Sequence, residues 1–275
     1  MPSNQPSTSK SASRFSPQRF LATSGQTWFT AAFIGQWIFV YYVVAYYIPI
    51  LRHQGFAGLA DTHLPHGYVS GDFWGNFAIA AHLVIAIVVV GGGTLQLIPW
   101  IRNNYPAFHR YLGRTYVTFA VLTSVAGLYL VWTRGVLGGP LAHVGISLDA
   151  LLIIAFSFIA VRYALQRNYR LHRRWALRLF MVVSAVWFFR ISLMAWFALT
   201  GGIGIDVETF TGPFITFLYF AQMFIPLAFL ELYLRATDGS NRRIKYVAAW
   251  LIFAAAALTA FGTVVATMGM WLPRM

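Results

Sequence analysis

Cysteine is absent from the 275 residues. Its absence excludes disulfides, thiolate metal sites and cysteine-ligated iron–sulfur clusters, and leaves the compartment open. Charge is scarce as well, at 10% of the chain where a soluble domain carries about a quarter. Acid is scarcest, with seven Asp and Glu against twenty Lys and Arg. A chain this poor in charge and 59% hydrophobic does not build one water-soluble core, so the expected class is an all-α polytopic membrane protein in contact with the lipid bilayer. The net charge of +13 is then read as membrane topology, and no nucleic-acid partner is expected. Also missing are a Walker motif, a Gly-rich dinucleotide fingerprint, HExxH and a nucleophile elbow. The last apolar segment has its only lysine, Lys245, at its edge, which excludes a mid-membrane Schiff base of the rhodopsin kind.

Residues 1–24 differ from the rest. "MPSNQPSTSKSASRFSPQRF" is rich in Ser, Pro and Gln and reads as a disordered cytoplasmic tail. No small-residue cleavage pattern follows, so a signal peptide is not expected. Residues 25–275 read as a single transmembrane domain. Seven apolar segments are long enough to span as helices of about 20 residues: 28–50, 75–100, 111–132, 143–165, 175–199, 212–234 and 246–271. Sixteen of the twenty basic residues fall in the tail and in the loops after the second, fourth and sixth segments. That bias predicts the bacterial cytoplasmic (inner) membrane, with the N-terminus in the cytoplasm and the C-terminus outside.

Four of the seven histidines form a pattern. His82 lies near the outer end of the second segment and His109 at the inner start of the third. His143 lies at the outer start of the fourth and His172 at the inner start of the fifth. The spacing is 27 residues in the first pair and 29 in the second, so segments two and three read as one unit and four and five as its copy. Alternating direction puts His82 and His143 at one outer level, within about a turn of helix rise, and His109 and His172 at one inner level. Folding 75–200 into a four-helix bundle of two repeated helix pairs would set these histidines on facing helices. Two imidazoles from opposing helices are a common axial set for b-type haem. The His109 face carries Gly113, Ala120, Ser124 and Gly127; small residues there suit a flat ligand and equally suit close helix packing.

Arg190 lies inside an apolar segment, where a charge is costly and marks a functional site by default. About five turns separate it from His172, which puts both on one face of a continuous helix. It can hold a haem propionate, pair with Asp149, or serve as a structural or snorkelling cation. Arg110, Arg114 and Arg173 flank the inner histidines as a cytoplasmic basic fringe. With haem present they would suit its propionates. His63 and His66 share an outer loop with Asp61 and Asp72, without a strong ligand spacing. Glu231 is read as pairing with Arg235 one turn on.

"FHRYLGRTYV", "LHRRWALRLF" and the lead-in "AAHL…GGGTLQLIP" resemble an uncharacterised bacterial membrane-protein family, domain of unknown function 2306, over roughly 75–200. The arrangement is also similar to di-haem cytochromes b of the b561 type. That resemblance implies two haems in a four-helix core, held by His82 with His143 and by His109 with His172. The outer site is the better expectation, because the inner histidines lie at the membrane edge among arginines. The leading expectation is therefore transmembrane electron transfer, a haem-dependent oxidoreductase with an electron donor and an acceptor. The alternative is a non-redox protein, either a small-solute transporter or a scaffold joined to other membrane subunits. A third reading, a lipid-interacting protein, would use the inner Arg-His cluster.

Overall fold

The computed structural model describes residues 16–64 and 66–275, and regular structure among them is helical. The helices are α1 (Pro17–Gln54), α2 (Phe73–Gln96), α3 (Pro99–Asn104), α4 (Pro106–Thr133) and α5 (Gly139–Leu165). There follow α6 (Tyr169–Val183), α7 (Ala185–Thr200), α8 (Pro213–Asp238) and α9 (Arg242–Ala266). Six of these are long and apolar enough to cross a membrane, and the bent pair α6 and α7 makes a seventh span.

The starts are written in the sequence. Ser16, Asp72, Asn168 and Asn241 each accept backbone N–H groups of the first turn, and Pro17, Pro99, Pro106 and Pro213 occupy first helical positions. Two expectations are corrected here. The tail does not run to residue 24: α1 begins at Pro17, and of that stretch residues 1–15 lie outside the described residues. The early turns are helical because they have something to bury against. Leu21 is fully buried, and Phe20 meets Tyr246, Trp250 and Phe253 of α9 at 5.4–5.6 Å between ring centroids. The fifth segment is also not one straight helix. It breaks at Ser184 with a 49° bend, and the Ser184 hydroxyl accepts a buried hydrogen bond of 3.0 Å from Gln36 of α1. The bend cancels the shared face expected for His172 and Arg190.

The two helix pairs close a ring. α2 packs on α4, α4 on α5 and α5 on α6, while α6 touches α2 lightly. In this order α2 faces α5 across the ring, and α4 faces α6. Outside it, α1 lies along α9 and against α2, α7 packs on α9 and α8, and α8 covers α5 and α6. Glycines allow the close approaches between helices. A Cβ on Gly262 would stand 2.7 Å from the Ile191 carbonyl oxygen, and one on Gly145 would stand 2.9 Å from Tyr219 Cβ. At the end rich in arginine, called the basic end below, Arg178 bonds Glu231 at 2.7 Å and Arg174 bonds Asp238 at 2.6 Å, tying α6 to α8. Glu231 thus pairs across helices, not with Arg235 on its own, because Arg178 projects toward it from the neighbouring α6.

Candidate functional site in the helix ring

At the basic end, His109 stands in the first turn of α4 and His172 in the first turn of α6. His109 shares its face with Tyr116, Ala120 and Ser124, all buried, so it looks into the ring. The two imidazoles lie within electrostatic reach of each other, from helices on opposite sides of the ring. His172 Nδ1 lies 2.9 Å from the carbonyl oxygen of Ala160. A carbonyl only accepts, so Nδ1 carries the proton and the lone pair is on Nε2, as in a metal-ligating histidine. His109 Nδ1 is buried without a partner. Gln96 donates to the His109 carbonyl at 2.9 Å and so ties the end of α2 to the start of α4.

The arginines divide differently from expectation. Arg110, Arg114 and Arg173 are exposed, and Arg114 lies over the Tyr111 ring. Arg102, which sequence reasoning passed over, is the arginine within electrostatic reach of His109. It sits on α3, a short helix hidden in the sequence by its polar "RNN".

At the opposite end His143 and His82 have different recorded neighbours. His143 Nδ1 bonds the Gly139 carbonyl at 2.9 Å, again leaving the lone pair on Nε2, and its ring stands edge-on to Trp132 at 5.8 Å. Its Nε2 lies 3.9 Å from where a Cβ on Gly135 would be. A Cβ on Gly75 of α2 would touch the Arg134 guanidinium. His82 lies about two turns along α2 from Gly75, roughly 10 Å. Its Nδ1 is buried without a partner, and its charged neighbour is Arg190.

Arg190 does not pair with Asp149. Asp149 is buried in α5, one turn from the Gly145–Tyr219 contact with α8, and its Oδ1 has no partner. The ring helices α2, α4 and α5 therefore hold five buried polar atoms without hydrogen bonds: His82 Nδ1, His109 Nδ1, Tyr116 Oη, Asp149 Oδ1 and Ser157 Oγ. Buried polar groups are ordinarily paired, so each of these marks a place suited to a ligand or to water. Gly127, on the His109 face, has open space beside it, since a Cβ there would meet nothing within 4 Å. Among the described residues no three His, Asp or Glu converge as a metal site, so His63 and His66 form none with their acidic neighbours.

The family model described as "Predicted membrane protein (DUF2306)" matches residues 79–225, more than half the chain. The match takes in all four ring histidines and Arg190, and leaves α1 and α9 outside. No curated protein matches the chain, and no solved structure matches it. The ring of α2, α4, α5 and α6 is the centre of the matched segment, and the chain belongs to the DUF2306 family of predicted membrane proteins.

Proposed function

We propose that the protein is a membrane electron carrier that holds b-type haem in the α2–α4–α5–α6 ring. The observation that carries this reading is the pair His109 and His172, drawn from facing helices into electrostatic reach, with His172 Nδ1 anchored on a backbone carbonyl. The donor set fits the group: His109 and His172 would hold it, and Arg102 would meet a propionate. Arg110, Arg114 and Arg173 would supply positive charge from the exposed fringe. When bound, haem supplies a one-electron couple. The protein's part is to fix two imidazoles, exclude water with the apolar ring, and set the local charge.

A second haem on His82 and His143 follows from the repeat. With both haems bound, electrons would cross the membrane by way of the two sites. With the basic end facing the cytoplasm of a bacterial inner membrane, the site on His109 and His172 would meet its partner, donor or acceptor, on that side. A second reading is a non-redox transporter or scaffold, and the observation favouring it is that a cation, Arg190, is the charged neighbour of His82.

The test is a reduced-minus-oxidised spectrum of protein purified from cells supplied with haem precursor. A Soret shift with a sharp α band of low-spin haem is expected. A preparation that carries no haem rules the reading out and leaves the non-redox one.

A further inference from the structure

Arg190 presents a charge without a counter-charge. It lies about 15 Å below the end of α7, deep in a membrane span. A cation there is normally reconciled by an ion pair or by reaching out to the headgroups. Neither occurs. The seven acidic residues form no ion pair with it; Asp72, Glu231 and Asp238 pair with other arginines. The side chain also points the wrong way to snorkel. Its Nη1 donates to the carbonyl of Val186 at 3.1 Å, one turn deeper in the membrane.

What surrounds the guanidinium adds donors and cations. Phe39 lies under it, 5.4 Å from ring centroid to Cζ. The hydroxyls of Tyr42 and Tyr47 are within electrostatic reach, and so is a second cation, Arg274. Trp271 is fully buried, stacks on Tyr42 with 6.2 Å between centroids, and has an Nε1–H without an acceptor. It sits on a π-helical turn, Thr267–Trp271, at the end of the last span; such turns recur at functional sites. His82 is also within electrostatic reach of Arg190 and has an unpartnered Nδ1. Two cations and the unmet Trp271 Nε1–H, with aromatic neighbours and no carboxylate paired with Arg190 among the described residues, form a site with its acceptor missing.

We propose that this cluster around Arg190 binds a carboxylate carried on an apolar or aromatic body. Guanidinium meets carboxylate with two parallel hydrogen bonds, and Phe39, Tyr42 and Trp271 would flank the body. The carboxylate has two possible sources: a free amphiphilic acid entering near Arg274, or a propionate of haem held in the ring. The site itself does not rest on the haem reading.

The experiment uses haem-free protein in phosphatidylcholine nanodiscs, titrated with 4-phenylbutyrate while tryptophan fluorescence is followed. A saturable change is expected with the acid and none with 4-phenylbutanamide, its neutral isostere. Arg190→Gln is expected to weaken binding at least tenfold and Arg190→Lys less. Should Arg190→Gln fail to fold, Arg274→Gln at the rim keeps the test open, with a several-fold loss expected. Equal responses to acid and amide, or undiminished binding in the folded arginine variants, would overturn the proposal. Repeating the titration on haem-loaded protein separates the sources: loss of the response assigns the site to a propionate, and an unchanged response assigns it to a free acid.

Discussion

Arg134 at the end of α4 grips Asp72 at the start of α2 at 2.6 Å, and the same guanidinium reaches the Asn76 side chain and the His66 carbonyl. One arginine thereby joins two ring helices and the loop before them at the end away from the basic cluster. It answers to the Gln96–His109 bond at the other end, so α2 and α4 are fastened top and bottom. That fastening makes the first helix pair a rigid unit against which the second pair packs.

The clamp predicts acid sensitivity. The Gly75 N–H, and after it Arg134, hold the Asp72 carboxyl below its ordinary 3.8. A carboxylate whose value is lowered by folding stabilises the fold fully above its unfolded value and loses that contribution as pH falls through the folded one. The contribution of Asp72 should therefore be full and independent of pH near neutrality, and the melting temperature should fall as pH drops below about 4. Asp238 and Asp206 are also held low, by Arg174 and by their own loop respectively, so the informative quantity is a difference. Asp72→Asn keeps a capping side chain but cannot pair with Arg134. Its melting temperature should lie below the wild type at pH 7, and the gap should close on acidification. A constant gap from pH 7 to pH 3 would refute the assignment.

The spans, their number and the helix ring were legible in the sequence because apolar runs and flanking arginines report bilayer crossing directly. The break at Ser184 was not. "VVSAVW" has neither Pro nor Gly, and the partner of Ser184, Gln36, is on another helix far away in sequence. The start at Pro17 was visible as Ser-Pro, a cap followed by a first-turn proline, but composition outweighed it. For the site, the spacing of the histidines pointed to His109 opposite His172, and these two lie within electrostatic reach of each other. It gave no sign that Arg190 is the charged neighbour of His82, because that contact joins helices far apart in the chain.

Close packing of α7 on α9 rests on Gly262. An added Cβ would stand 2.7 Å from the Ile191 carbonyl oxygen, a backbone atom that cannot swing aside. Gly262→Ala should cost about 1–3 kcal/mol, the usual range for overpacking. Gly127→Ala is the control, since nothing lies within 4 Å of its new methyl. It should be neutral or stabilising by up to about 1 kcal/mol through helix propensity. Denaturant unfolding in mixed micelles measures both, and equal losses for the two glycines would show that their surroundings do not differ as described.

The ligand assignment predicts which histidines act as a pair. His109→Ala and His172→Ala should each remove the same b-type absorption component, because one iron needs both imidazoles. His143→Ala should leave that component intact, since its ring lies against Trp132 at the other end of the bundle. His82→Ala should leave it intact as well and should instead alter the fluorescence response at Arg190. A scaffold role would give graded losses of stability without pairing, so protein yield alone does not discriminate. Rescue does: His172→Gly opens a space bounded by the Ala160 carbonyl, into which free imidazole can enter and present a nitrogen to the iron. Return of the absorption band on adding imidazole is expected. A folded His172→Gly protein that keeps its band without imidazole would remove His172 from the ligand set.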